Sequence, residues 1–202
     1  MNELPAEPGP IRILALSGSL RAASSNTQVL LAMTRLAPPR VEVELYAGIG
    51  GLPHFSPDFD GPASPAPVLD FRARVAQADA MMISSPEYAH GVPGSLKNAL
   101  DWLVSGMEIV AMPIALLNPS PNSTHAQAAL AETLRTMSTD VVAAASATIP
   151  LSGRRLDAAG ILAAPELAQP LRAAMAELVN AAVQSRAAGR RLVGWRPEAS
   201  PS

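Results

Sequence analysis

The chain has no cysteine, which excludes disulfides, a thiolate nucleophile and any cysteine-ligated metal centre. Aromatic residues make up only 3% of its 202 positions, so alanine, leucine, valine and methionine must fill the interior. Charge is sparse as well: Asp, Glu, Lys and Arg total 16%, and the net charge is −2. With no basic stripe, nucleic acid is not an expected partner. The longest uncharged stretch, Ile109 to Ala131, is interrupted by Pro113, Pro119 and Pro121 and carries Asn, Ser, Thr and His. That is too polar to span a bilayer, so no membrane partner is expected either. The N-terminus does not show the charged-then-apolar layout of a signal peptide. A cytoplasmic protein fits all of these absences.

What is present is a globular balance, 49% apolar, over a length suited to one domain. The domain is placed at residues 11–190, with flexible tails at 1–10 and 196–202. "IRILAL" (11–16), "AMMISS" (80–85) and "PIALLN" (113–118) are short, mostly apolar runs, whereas "VEVELY" (41–46) alternates. "VVAAASATI" (141–149) completes a set of five strands. Between them lie helical spacings: Val29, Leu30, Met33 and Leu36; Val68, Phe71 and Val75; Leu96, Leu100 and Leu103; a helix running to about Met137; and Leu167, Leu171, Met175 and Leu178. Pro170 blurs the start of the last one. Residues 47–67, with five Pro and four Gly, read as a long loop. Continuous apolar strands alternating with helices predict a parallel sheet covered on both faces. The expected architecture is an α/β three-layer sandwich, its five strands in the order 2-1-3-4-5.

Ligands of such sheets bind beyond the carboxyl ends of the strands, where strand order reverses. The loops that could line that point are 17–26, 85–94 and 118–124. In the first, Ser19, Ser24 and Ser25 offer hydroxyls, Arg21 a forked cation, and Ser25 or Asn26 a helix cap. That set suits a phosphate at a helix N-terminus, and it equally suits an ordinary capped turn. No G-x-G-x-x-G, no G-x-x-x-x-G-K-[ST] and no G-x-S-x-G occurs. The three histidines, His54, His90 and His125, fall in separate loops without metal-ligand spacing, so no metal is expected. Asp101 lies four residues after Lys97 and reads as a surface pair, not as an acid/base partner for Glu87.

Two stretches, "GSLRAASSN" (18–26) and "PEYAHGVPGSLKNALDW" (86–102), resemble the paired signatures of the NADPH-dependent FMN reductase family, a flavodoxin-like group that includes quinone, azo-dye and chromate reductases. The resemblance implies a flavodoxin-like fold and an FMN cofactor reduced by NADPH, with NADH possible. A small electron acceptor and a homodimer or homotetramer are implied too. It places Ser19, Arg21, Ser24 and Asn26 at the FMN phosphate, with Leu20 and Ser25 beside them. Pro86, Glu87, Tyr88 and the backbone of Ala89 would border the isoalloxazine ring, and Ser120 would stand for the third-loop serine. Position 89 is Ala where the family usually has Asn, and "NPSPNSTHA" (118–126) lacks the family's Gly-Gly. The helix at 95–104 resembles one used in dimer contacts, which would put Trp102 at an interface. The alternative reading is an FMN-binding electron carrier or sensor without enzyme activity. A third is a sheet that has lost its cofactor and acts through protein contacts.

Overall fold

The computed structural model describes residues 9–61, 64–151 and 153–189. The expected tail at 196–202, and residues 1–8 of the other, lie outside these. Strands β1 (Ile11–Ser17), β2 (Val41–Tyr46), β3 (Ala80–Ser84), β4 (Pro113–Asn118) and β5 (Asp140–Val141) pair in parallel in the order β2-β1-β3-β4-β5. The order is the one the sequence predicts.

Burial on both faces explains why the central strands are apolar throughout. Side chains alternate across a strand. Ile13, Ala15, Ala80, Met82, Ala115 and Leu117 therefore enter a layer shared with helices α1 (Ser25–Leu36), α5 (Ala158–Ala163) and α6 (Pro165–Ala187). Leu14, Leu16, Met81, Ile83, Ile114 and Leu116 enter the opposite layer, with α2 (Ala66–Gln77), α3 (Gly94–Asp101) and α4 (Thr124–Thr136). Each large side chain so buried contributes about 1.5–3 kcal/mol. On the edge strand β2 the alternation survives: Glu42 and Glu44 stay exposed while Val41, Val43 and Leu45 pack inward.

Four expectations are corrected. The fifth strand is broken: β5 stops at Val141, a 3-10 turn occupies Ala143–Ala145, and a short strand β6 (Ala147–Thr148) rejoins β4. Ser146 patches the gap, its hydroxyl accepting from Leu116 N–H (3.0 Å) and donating to the Val142 carbonyl (3.0 Å). The stretch before the last helix, which reads as loop, holds α5, and the last helix starts at Pro165 and carries Pro170 inside it. Trp102 is wholly buried rather than at an interface. Its indole N–H donates to the Pro53 carbonyl (2.8 Å), and its ring meets Phe55 edge-on at 5.0 Å. Gly9 and Pro10, expected in a loose tail, are held through their carbonyls by Arg186 (2.7 Å each).

Candidate functional site

The three polar loops meet at the carboxyl ends of β1, β3 and β4. At the end of β1 the Gly18 N–H donates to the Ser84 carbonyl (2.8 Å). A Cβ at Gly18 would lie 2.7 Å from Ser85 Oγ and 3.1 Å from Leu96 Cδ2. Only glycine lets the first loop lie this close to the second. Ser17 Oγ and Thr27 Oγ1 are 2.9 Å apart, closing the base of the turn.

Above that base the start of α1 is left open. Ser24 sits at the N-cap with extended backbone, yet its side chain makes no capping bond. The N–H groups of Ser25, Asn26 and Thr27 have no acceptor within the helix, and its dipole adds positive potential there. Ser19 and Ser24 are buried beside them, and Ser25 is exposed. Asn26 is buried with its Oδ1 accepting from Ser84 Oγ (3.0 Å), so its side chain fastens α1 to β3. Among the described residues no carboxylate pairs with the exposed Arg21 guanidinium. Leu20, 61% exposed, leans over Gly50, where a Cβ would come within 3.1 Å of its Cδ2. An uncapped helix start, two buried serines and an unpaired arginine are together the donor set that an anion requires.

The second loop is a tight hairpin. Tyr88 N–H donates to the Gly91 carbonyl (3.1 Å), and Gly91 N–H to the Tyr88 carbonyl (2.9 Å). Its two central residues, Ala89 (φ 49°) and His90 (φ 60°), are both left-handed, as this class of turn demands. Asn tolerates that region better than Ala does. The Asn expected at 89 therefore suits the backbone, and Ala89 keeps the conformation without it. Pro86 is half-buried, and Tyr88 is 51% exposed at the mouth.

Glu87 turns away from solution chemistry. Its Oε2 accepts from Ala126 N–H (2.9 Å), the third residue of α4, whose own N-cap Ser123 makes no side-chain capping bond. In the third loop Asn118 Oδ1 accepts from Ser120 N–H (3.0 Å), and its Nδ2 donates to the Ser123 carbonyl (3.3 Å). Ser120 is thus held half-buried beside the other two loops. His90 and His125 read as separate loop residues in the sequence, yet they come together. Their rings stack 4.3 Å apart with 10° between planes. The pairing links the second loop to the start of α4, 35 positions away in the chain, and no local spacing could reveal it.

Asn98 and Trp102, both from the second signature, support the site from outside it. Asn98 Oδ1 accepts from Phe55 N–H (2.8 Å), its Nδ2 donates to the Pro53 carbonyl (3.0 Å), and Trp102 shares that carbonyl. The long loop after β2 is thereby pinned to α3. Lys97 and Asp101 form the expected pair on the helix surface.

The profile of NADPH-dependent FMN reductases matches residues 11–152, all three loops included. The chain belongs to that family. Among its relatives, an NAD(P)H-dependent FMN reductase of Pseudomonas aeruginosa is 40% identical over 92 residues, covering 46% of this chain and 49% of that protein. A quinone reductase of Escherichia coli is 37% identical over 94 residues, covering 46% and 50%. The chain thus spans about half the length of these relatives. A solved family-like structure, a flavoenzyme NAD(P)H:(acceptor) oxidoreductase from Paracoccus denitrificans, superposes with a TM-score of 0.71 at 26% identity. It covers 87% of this chain and 98% of its own. The fold is flavodoxin-like, as the sequence predicts. No helix among the described residues is long and apolar enough to cross a membrane.

Proposed function

We propose that the chain is an FMN-dependent oxidoreductase that takes electrons from NADPH, or NADH, and delivers them to a small acceptor such as a quinone. The observation that carries this reading is the anion cradle at the start of α1. Its free N–H groups, buried Ser19 and Ser24 and unpaired Arg21 match the charge and donor needs of a dianionic phosphate ester. When bound, FMN supplies the chemistry: it accepts a hydride from the nicotinamide and passes electrons to the acceptor.

The chain's own residues hold and orient. Arg21, with Ser19, Ser24, Ser25, the Asn26 backbone and the backbone at Leu20, would fix the phosphate. Pro86, the Glu87 backbone, Tyr88 and Ala89 would border the ring. Ser120 would close the far side. Glu87 and Asp101, the carboxylates nearest in sequence to the second loop's chemistry, are engaged by the α4 start and by Lys97. Neither is free for general acid–base work, and positioning a flavin requires none.

The same reading places the protein in the cytoplasm as a homodimer. Phe59, Val104 and Met107 are large apolar residues, 57–63% exposed. Their segments are drawn together by Arg72, which pairs with both Asp60 (3.0 Å) and Glu108 (2.6 Å). Exposed apolar residues on segments tied together in this way suit contact with a second copy.

The deciding experiment is the anaerobic visible spectrum of the purified protein with FMN, before and after NADPH. A bound flavin band that bleaches establishes the cofactor and its reduction together. A bound band that stays yellow leaves an electron carrier, and no bound flavin overturns the reading.

A further inference from the structure

Two contacts tie the second loop to the third, and only one is accounted for by folding. At the base of the hairpin, Glu87 caps α4 through Ala126 N–H. At its tip, His90 lies face to face on His125, the second residue of the same helix. Both rings are on exposed residues, so the contact is not forced by a packed core. The tip also needs holding: Ala89 and His90 carry positive φ without being glycine, a conformation that such residues leave readily. The hairpin's own bonds use only the N–H groups of Tyr88 and Gly91. Among the described residues, those of Ala89 and His90 donate to no acceptor, and they lie on the loop expected to border the ring.

The pair is not arranged for a metal. An ion must lie near the plane of each imidazole it binds, and two planes only 10° from parallel share no point at ligand distance. What the geometry offers is ring-on-ring contact between the hairpin tip and the first turn of α4.

We propose that the His90–His125 stack is a positioning clasp that holds the tip of hairpin 88–91 against α4, and so sets how long the site retains its flavin. The proposal rests on the FMN reading above. Its content is specific to this chain's own residues, because it steadies a hairpin whose two central residues, Ala89 and His90, are left-handed without being glycine. Neither histidine touches the phosphate cradle, and neither exchanges a proton in this role. A ring at each position is what matters.

The test uses the full chain with His125→Ala and His125→Phe, the second of which keeps an aromatic face. FMN release is followed by the recovery of flavin fluorescence. His125→Ala should release FMN about 5- to 10-fold faster than the unsubstituted protein, and His125→Phe should restore the rate to within about 2-fold. In the flavin-free protein the His90 ring protons should show an upfield NMR shift from stacking, lost in His125→Ala and kept in His125→Phe. Unsubstituted protein that binds no FMN overturns the cofactor reading and the clasp's role with it. FMN bound normally, with all three proteins releasing it at one rate, overturns the clasp alone. So does equal loss in the Ala and Phe variants, or a melting temperature that falls in step with faster release.

Discussion

At Arg21 a guanidinium stands exposed beside an open helix start with no carboxylate to answer it, and that makes its contribution measurable. A charge-assisted bond to phosphate contributes about 1.5–3 kcal/mol. Arg21→Ala should therefore weaken FMN binding about 10- to 150-fold in a fluorescence titration; an unchanged affinity would remove Arg21 from the site. Ala89 poses the opposite case, a residue kept where its backbone is unfavourable. The left-handed region costs a non-glycine residue about 1–2 kcal/mol, partly offset by the extra chain entropy glycine loses on folding. Ala89→Gly should raise the melting temperature by about 2–4 °C, read by calorimetry; a fall would mean that the turn is not strained. The residue types of the cradle were legible because hydroxyls, a cation and a capping residue crowd one short turn. Their partners were not. Glu87 reads as a ring neighbour, yet its bond goes to Ala126, 39 positions away, and nothing local in the sequence encodes that reach.

Most elements follow from period and burial alone, because strands covered on both faces leave an uninterrupted apolar signature that turns and helices punctuate. The fifth strand is the exception. "VVAAASATI" has the composition of a strand, but its alanines fill little space, and a 3-10 turn at Ala143–Ala145 satisfies the backbone equally well. The choice is made by β4, whose Leu116 N–H is met by the Ser146 hydroxyl instead of by a strand carbonyl. Ser146→Ala would leave that amide without its acceptor beside a buried strand. A cost of about 1–3 kcal/mol is expected, measured as a lower urea midpoint with unchanged slope. Full stability in the variant would show that water replaces the hydroxyl. At the C-cap of α3, the family resemblance implies an interface role for Trp102, whereas its indole N–H pins the Pro53 carbonyl inside the same chain.

Across the whole molecule, binding and stability are anchored at opposite ends of the sheet. If the exposed apolar residues around Met107 join two copies, Met107→Glu should disrupt association by burying an unpaired charge, halving the mass seen by light scattering, while a mass equal to that of the unsubstituted protein would place any interface elsewhere. The other end is closed by Arg186 near the end of α6. Its guanidinium pairs with Asp79 (Nε to Oδ1 2.9 Å) and donates to the carbonyls of Gly9 and Pro10, while Asp79 also accepts from Arg12 N–H (2.8 Å). Both side chains are nearly out of water, at 12% and 5% exposed. Removing one partner of such a pair costs about 3–5 kcal/mol, because the remaining charge stays buried. Arg186→Met should thus lower the melting temperature by several degrees while leaving FMN affinity below the transition unchanged. Arg21→Ala should do the reverse, sparing stability and losing flavin. If Arg186→Met also weakened FMN binding well below its melting range, the two ends of the sheet would be coupled, and the cradle would depend on more than the loops that form it.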